Sequence, residues 1–160
     1  MKDVKVTSSF IIYESLKELS SEERLIMEEA IKMLENAYAP YSNFFVGAAL
    51  MTQNGSIYRG CNQENASYPL CICGERVALF NAGAEEPNVP IKALAIVCHN
   101  PAKRIESPVS PCGACRQVIS EFEKRHNQTF PVLLKGDAET IYKFSSGREL
   151  LPFGFDSTYL

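Results

Sequence analysis

Two short motifs, Cys73-Gly74-Glu75 and Pro111-Cys112-Gly113-Ala114-Cys115, constrain this chain more than any other feature, because together they supply three thiolates and a nearby carboxylate. Three thiolates can hold a zinc ion and leave its fourth position open. Structural zinc sites are closed by four protein ligands, whereas three ligands plus a water is the catalytic arrangement. Glu75, two residues after Cys73, is placed to handle that water's protons.

The rest of the chain reads as a single domain around such a site. Its 160 residues are 46% apolar and 22% charged, enough for a sizeable core. Sixteen basic and nineteen acidic residues give a net charge of -3, and no run of Lys or Arg could track a phosphate backbone, so nucleic acid is not an expected partner. No apolar stretch approaches the ~20 residues that span a bilayer, so a membrane is not expected either. Met1 to Phe10 lacks a cationic segment followed by an apolar run, and a cytoplasmic location is expected. Six cysteines could form three disulfides, but a chain with its own core and no export signal keeps thiols reduced and uses them on metals. Without repeats or linkers, residues 1–160 form one domain, with 1–20 an N-terminal extension of no assigned role.

Periodicity and turn signals give the order of elements. Asp3 to Thr7 alternates like a short extended segment, and Ser20-Ser21-Glu22-Glu23 is a capping box opening a helix that runs to about Tyr38, before Pro40. Val46 to Met51 and Ile57 to Cys61 flank Asn54-Gly55 and predict an antiparallel hairpin. A helix from near Cys73 to Ala82, stopped by Gly83, precedes the apolar run Ile91 to Cys98, which suits a strand covered on both faces. A helix from Pro111-Cys112 to about His126 and a last hairpin, Val132 to Lys135 with Thr140 to Phe144, complete the pattern. This order predicts an α/β three-layer sandwich with a five-stranded mixed sheet and helices on both faces.

Both cysteine motifs then fall at helix starts, where free N–H groups and the helix dipole favour thiolates. Cys112 and Cys115 are about 300° apart around a helix and share a face, whereas Cys73 and Glu75 are about 200° apart, so Cys73 must sit at the cap before regular helix begins. Zinc lowers the pKa of water toward ~7, and a carboxylate can take that proton and return it to a leaving amine. Three thiolates leave the centre at net charge -1, which Arg76 is placed to offset. Spacing alone leaves two rivals: Cys71 could close a four-cysteine structural zinc, and Pro-Cys-Gly-Ala-Cys suits a thiol redox pair. A redox pair needs neither Cys73 nor Glu75. On composition, Phe44, Tyr68 and Phe155 read as core aromatics, Asn62 and Glu64 as polar loop residues, and His99 and His126 lack ligand spacing to the cysteines.

The chain resembles the homotetrameric cytidine deaminases of the three-cysteine zinc type. The likeness runs from about Tyr38 to Phe155 and rests on Ala39-Pro40-Tyr41-Ser42-Asn43-Phe44, Val46-Gly47-Ala48-Ala49-Leu50, Gly60-Cys61-Asn62-Gln63-Glu64-Asn65-Ala66, Cys73-Gly74-Glu75-Arg76, Pro111-Cys112-Gly113-Ala114-Cys115-Arg116-Gln117 and Leu150-Leu151-Pro152. It implies one zinc per chain on Cys73, Cys112 and Cys115, with Glu75 as proton shuttle. It implies substrate contacts from Phe44, Asn62, Glu64, Ala66, Tyr68, Gly74 and Phe155, with Asn62 and Glu64 on the ribose 3'-hydroxyl, and Arg76 behind the metal. The expected substrate is a free pyrimidine nucleoside, cytidine or 2'-deoxycytidine, deaminated in a homotetramer whose sites are shared and whose 145–160 tail lies at a subunit interface. Gly74 stands where alanine is more familiar, and Phe153-Gly154 departs from the family before Phe155. Alternatives are a deaminase of another aminated pyrimidine compound, or a non-enzymatic structural zinc protein.

Overall fold

A computed structural model describes all 160 residues. The elements are β1 (Ile11–Tyr13), α1 (Ser21–Lys32), β2 (Phe45–Thr52), β3 (Ile57–Cys61), α2 (Gly74–Glu85), β4 (Ile91–His99), α3 (Gly113–His126), β5 (Val132–Lys135), β6 (Ile141–Phe144) and α4 (Gly147–Leu150). The strands form one sheet in the order β1-β6-β5-β4-β2-β3, in which β4 and β5 run parallel and every other pair is antiparallel.

Strand alternation divides the core into two layers. Leu50 of β2, Leu94 and Ile96 of β4 and Leu134 of β5 face α2 and α3, where they pack with Leu79 and Ile119. Their neighbours Ala49, Met51, Ala93, Ala95 and Leu133 face the other way, against Ile26, Met27 and Ala30 of α1. The unbroken apolar run of β4 follows from this double coverage. At the start of α1, Ser20 Oγ accepts from Glu23 N at 3.3 Å while Ser20 N donates to Glu23 Oε2 at 3.1 Å, the expected reciprocal cap.

The sheet has six strands rather than the five expected. β1 pairs with β6, Ile11 opposite Lys143 and Tyr13 opposite Ile141, and the Phe10 ring packs on Tyr142 and Phe144 at centroid distances of 4.7 and 5.2 Å. The extended segment therefore falls at 11–13, not at Asp3 to Thr7, because only there do consecutive apolar residues meet the free edge of β6. The first long helix ends at Lys32, continues as a tighter turn over Met33–Asn36, and stops short of Tyr38. Tyr38 is drawn off to the sheet: its N–H donates to Asn62 O at 3.0 Å and its carbonyl accepts from Glu64 N at 2.8 Å. Gly83 does not stop α2, which runs on to Glu85. A Cβ there would lie 3.0 Å from Phe122 Cζ, so the glycine serves the close approach of α2 and α3.

Candidate metal centre and pocket

The two cysteine motifs arrive together because α2 and α3 lie side by side on one face of the sheet. Cys73 is the N-cap of α2 and Cys112 the N-cap of α3, each with extended backbone and neither capping its helix with its own side chain. The first-turn N–H groups of both helices are thus left to favour negative charge at the sulfurs. Cys115, just inside α3, is fully buried. Sγ of Cys112 lies 3.4 Å from that of Cys115 and 4.0 Å from that of Cys73, and all three are within 4.8 Å of one another.

This cluster fits zinc. Tetrahedral ligation at ~2.3 Å places sulfurs about 3.8 Å apart, between the 3.4 and 4.0 Å that separate Cys112 from Cys115 and from Cys73. Cys71 is not part of the cluster; its Sγ accepts from Asn65 N at 3.2 Å, which removes the geometric basis of a closed four-cysteine site. Arg76 Nη2 donates to Cys73 Sγ at 3.7 Å. Hydrogen bonding with Cys115, then with Arg76, lowers the Cys73 thiol to about 5, while the same pairing and burial push Cys115 upward. Cys73 accordingly ionises before Cys115.

Glu75 projects from the first turn of α2 and is 4% exposed. Its Oε2 has no hydrogen-bond partner, an unusual state for a buried carboxylate oxygen and one that suits a partner brought by substrate or water. Burial, reinforced by charge on Cys73, raises its pKa above the ordinary carboxylate value.

Glu75 opens onto a pocket of about 370 Å³ that is also lined by Phe44, Asn62, Glu64, Cys73 and Cys112. The Asn62 side chain is clasped between backbones, donating to Phe44 O and accepting from Val46 N, both at 2.8 Å. Each end of that amide keeps one further hydrogen-bonding position. Glu64 accepts from Ser42 Oγ at 2.5 Å and from Tyr41 N at 2.9 Å, and the Ser42 bond foremost holds its carboxyl below the usual range. An ionised Glu64 and a pre-oriented Asn62 side by side suit a ligand bearing hydroxyls.

The remaining expected residues fall outside the lining. Gly74 is buried as the first residue of α2. Ala66 is exposed, and Tyr68 borders an adjacent hollow with Tyr41 and Cys71, the two tyrosine rings 5.8 Å apart. Phe155 does not reach the pocket of its own chain; it is 58% exposed and stacks on Tyr159. Sequence reasoning gave no site role to Ser42, Val46, Ile96, Cys98, Val109, Ser110 or Pro111, which complete the wall. The position of Cys98 at the end of the apolar β4 run was the available signal, since a strand end beside two helices that start in cysteine motifs borders the space between them. Its thiol is pushed up to about 12, by burial first, and is inert.

The family model for the cytidine and deoxycytidylate deaminase zinc-binding region matches residues 20–129. A cytidine deaminase of Sporosarcina psychrophila is 47% identical over 127 residues, covering 78% of this chain and 88% of that protein. One from Halalkalibacterium halodurans is 43% identical over 132 residues, covering 82% and 92%. The crystal structure of cytidine deaminase from Burkholderia pseudomallei superposes with a TM-score of 0.71 at 44% identity, covering 82% of this chain and 97% of that one.

Proposed function

The chain belongs to the zinc-binding cytidine and deoxycytidylate deaminase family, and from that premise we propose that it hydrolyses cytidine and 2'-deoxycytidine to the uridine forms, releasing ammonia. The observation that carries the reading is the unpartnered, buried Glu75 Oε2 beside a three-sulfur cluster in a pocket of nucleoside size.

Cys73, Cys112 and Cys115 hold the zinc, one per chain. When bound, zinc supplies the Lewis acidity that brings a water's pKa within reach of a carboxylate near neutral pH. Glu75 accepts a proton from the attacking water and donates it to N3 as the C4–O bond forms. It then takes the remaining proton of that oxygen and passes it to the amine as the C4–N bond breaks. The water's two protons thus end on N3 and on ammonia, and Glu75 is restored. Phe44 offers its ring to the pyrimidine, while Asn62 and Glu64 take the ribose hydroxyl. Arg76 tempers the charge of three thiolates through Cys73.

No helix is long and apolar enough to cross a membrane. The reduced cysteines suit a cytoplasmic enzyme. The tail exposes Phe153, Phe155, Tyr159 and Leu160, and Tyr68 and Leu70 are exposed beside the pocket, apolar surface that supports a homotetramer in which neighbours complete each site. An ultraviolet absorbance assay over a panel of aminated pyrimidine nucleosides, bases and nucleotides, run beside metal analysis, tests the reading. Turnover confined to cytidine and deoxycytidine with one zinc per chain is expected; zinc without turnover would overturn it.

A further inference from the structure

Between β4 and α3 lie thirteen residues, 100–112, with no regular helix or strand. Irregular connections longer than about 12–15 residues inside a compact domain are commonly functional. This one carries Val109, Ser110 and Pro111 into the pocket wall before delivering Cys112. Hydrogen bonds join residues 100–111 to the rest of the molecule at only two places. At the far end, Arg116 Nε donates to Pro111 O at 2.8 Å. In the middle, Ile105 N donates to Asp137 Oδ2 at 2.7 Å and Asp137 N donates back to Ile105 O at 2.9 Å. Nothing outside the segment holds residues 106–110 by a hydrogen bond.

Asp137 lies in the turn between β5 and β6 and lines no part of the pocket. Its other oxygen meets His99 Nδ1 at 2.5 Å, which fixes the carboxylate to the last residue of β4. The turn itself is braced by Lys135, whose buried Nζ donates to Gly136 O at 3.2 Å and to Ala138 O at 2.5 Å. Gly136 lies against Ile105, and a Cβ on it would come within 2.7 Å of both Ile105 Cγ2 and Ile105 O. The clamp is therefore rigid on the sheet side and closely fitted on the loop side.

We propose that Asp137 is a positioning residue for the substrate: by holding Ile105 it sets where Val109 and Ser110 stand against the bound nucleoside. This rests on the pocket being the nucleoside site proposed above. Glu75 and Cys115 lie on α2 and α3 and Cys73 and Cys112 cap those helices, with Arg116 of α3 holding Pro111 next to Cys112, so the clamp at Ile105 does not place them. Releasing Ile105 removes contacts made equally to ground and transition states, and such a loss raises KM while sparing kcat.

The test compares Asp137→Ala, Asp137→Asn and Gly136→Ala with the wild type in three measurements: zinc per chain, steady-state kinetics with cytidine, and amide hydrogen exchange at Ile105 and residue 137. Misplacement of a contact by about 1 Å costs up to ~10²-fold, so Asp137→Ala is expected to raise KM roughly tenfold or more, with kcat within about threefold. Zinc should stay at wild-type content, and exchange should quicken at Ile105 and at residue 137, whose N–H groups make the clamp. Asp137→Asn, which keeps an oxygen for the Ile105 N–H, should fall between the two. Gly136→Ala, pushing the loop from the same turn, should reproduce the KM rise. An unchanged KM despite faster exchange, or loss of kcat and zinc together at constant KM, overturns the proposal and leaves Asp137 a merely structural residue. If Asp137→Ala does not fold, the other two variants decide by the same split. A wild type that does not act on cytidine defeats the proposed function separately, and unchanged exchange at Ile105 and residue 137 in the variants would then defeat the clamp.

Discussion

Arg76 donates to the sulfur of Cys73 across 3.7 Å, so a cation touches the thiol of the cluster whose pKa is lowered to about 5. Arg76→Gln keeps a polar side chain but removes the charge, leaving three thiolates uncompensated around a divalent ion. Outer partners of metal ligands are typically worth ~10- to 100-fold in affinity or activity. A loss of that order is expected, in zinc retention against a chelator and in kcat/KM together.

Glu75→Gln preserves shape and burial but cannot cycle a proton. The variant should fold and retain zinc while losing at least the ~10²- to 10⁴-fold typical of general acid and base catalysis. Metal analysis beside a nucleoside assay checks both halves, and substantial remaining turnover would remove Glu75 from the shuttle role.

Cys71 and Cys73 are two residues apart yet have different partners, Asn65 for one and the sulfur cluster for the other. Cys71→Ser should therefore keep about one zinc per chain, and Cys73→Ser should lose most of it. Equal losses measured by atomic absorption would mean a closed four-cysteine site.

Stability should weaken in acid through Glu29 on α1. This buried carboxylate meets Lys32 Nζ at 2.6 Å and Arg59 Nε at 2.5 Å, and the Lys32 bond foremost lowers its pKa below the ordinary 4.5. A folded pKa below the unfolded one stabilises above the unfolded value and loses that stabilisation as pH falls through the folded value. The Tm gap between wild type and Glu29→Gln should accordingly be full at pH 7 and shrink below about pH 4.5. A gap independent of pH from 7 to about 3 would show that the ion pairs contribute nothing.

Phe155 lies outside its own chain's pocket, although its carbonyl accepts from Gln117 Nε2 at 2.7 Å on the helix that bears Cys112 and Cys115. If the tail completes a neighbour's site, mixing inactive Glu75→Gln with inactive Phe155→Ala chains after dissociation and reassembly should restore part of the activity. Verified hybrids without recovery would contradict shared sites.

What could be read from the sequence was what depended on local patterns. The cap at Ser20, the hairpin at Asn54-Gly55, the doubly covered run in β4 and the three clustered cysteines each lie within a few residues of the signal that reveals them. The missing strand β1 is only three residues long, and its partner β6 stands at the opposite end of the chain, so no local window contains the reason for it. The same holds for Gly83, whose purpose is the Phe122 ring on another helix, and for Val109, which enters the wall from an irregular segment without periodicity. Asn62 and Glu64 were identifiable only by resemblance, because their value comes from backbone groups of residues 41–46 that the fold brings alongside them.

The pairing of β1 with β6 also sets an order of events during synthesis. Cys73, Cys112 and Cys115 are all joined to the chain before Lys143, the residue opposite Ile11, has been added. At ~5–20 residues per second, the first strand made waits on the order of ten seconds for its partner. Throughout that interval Phe10, Ile11 and Ile12 are an apolar segment without a sheet edge to join. The outermost strand is thus the earliest of the six to be made and the last that can be laid down in the sheet.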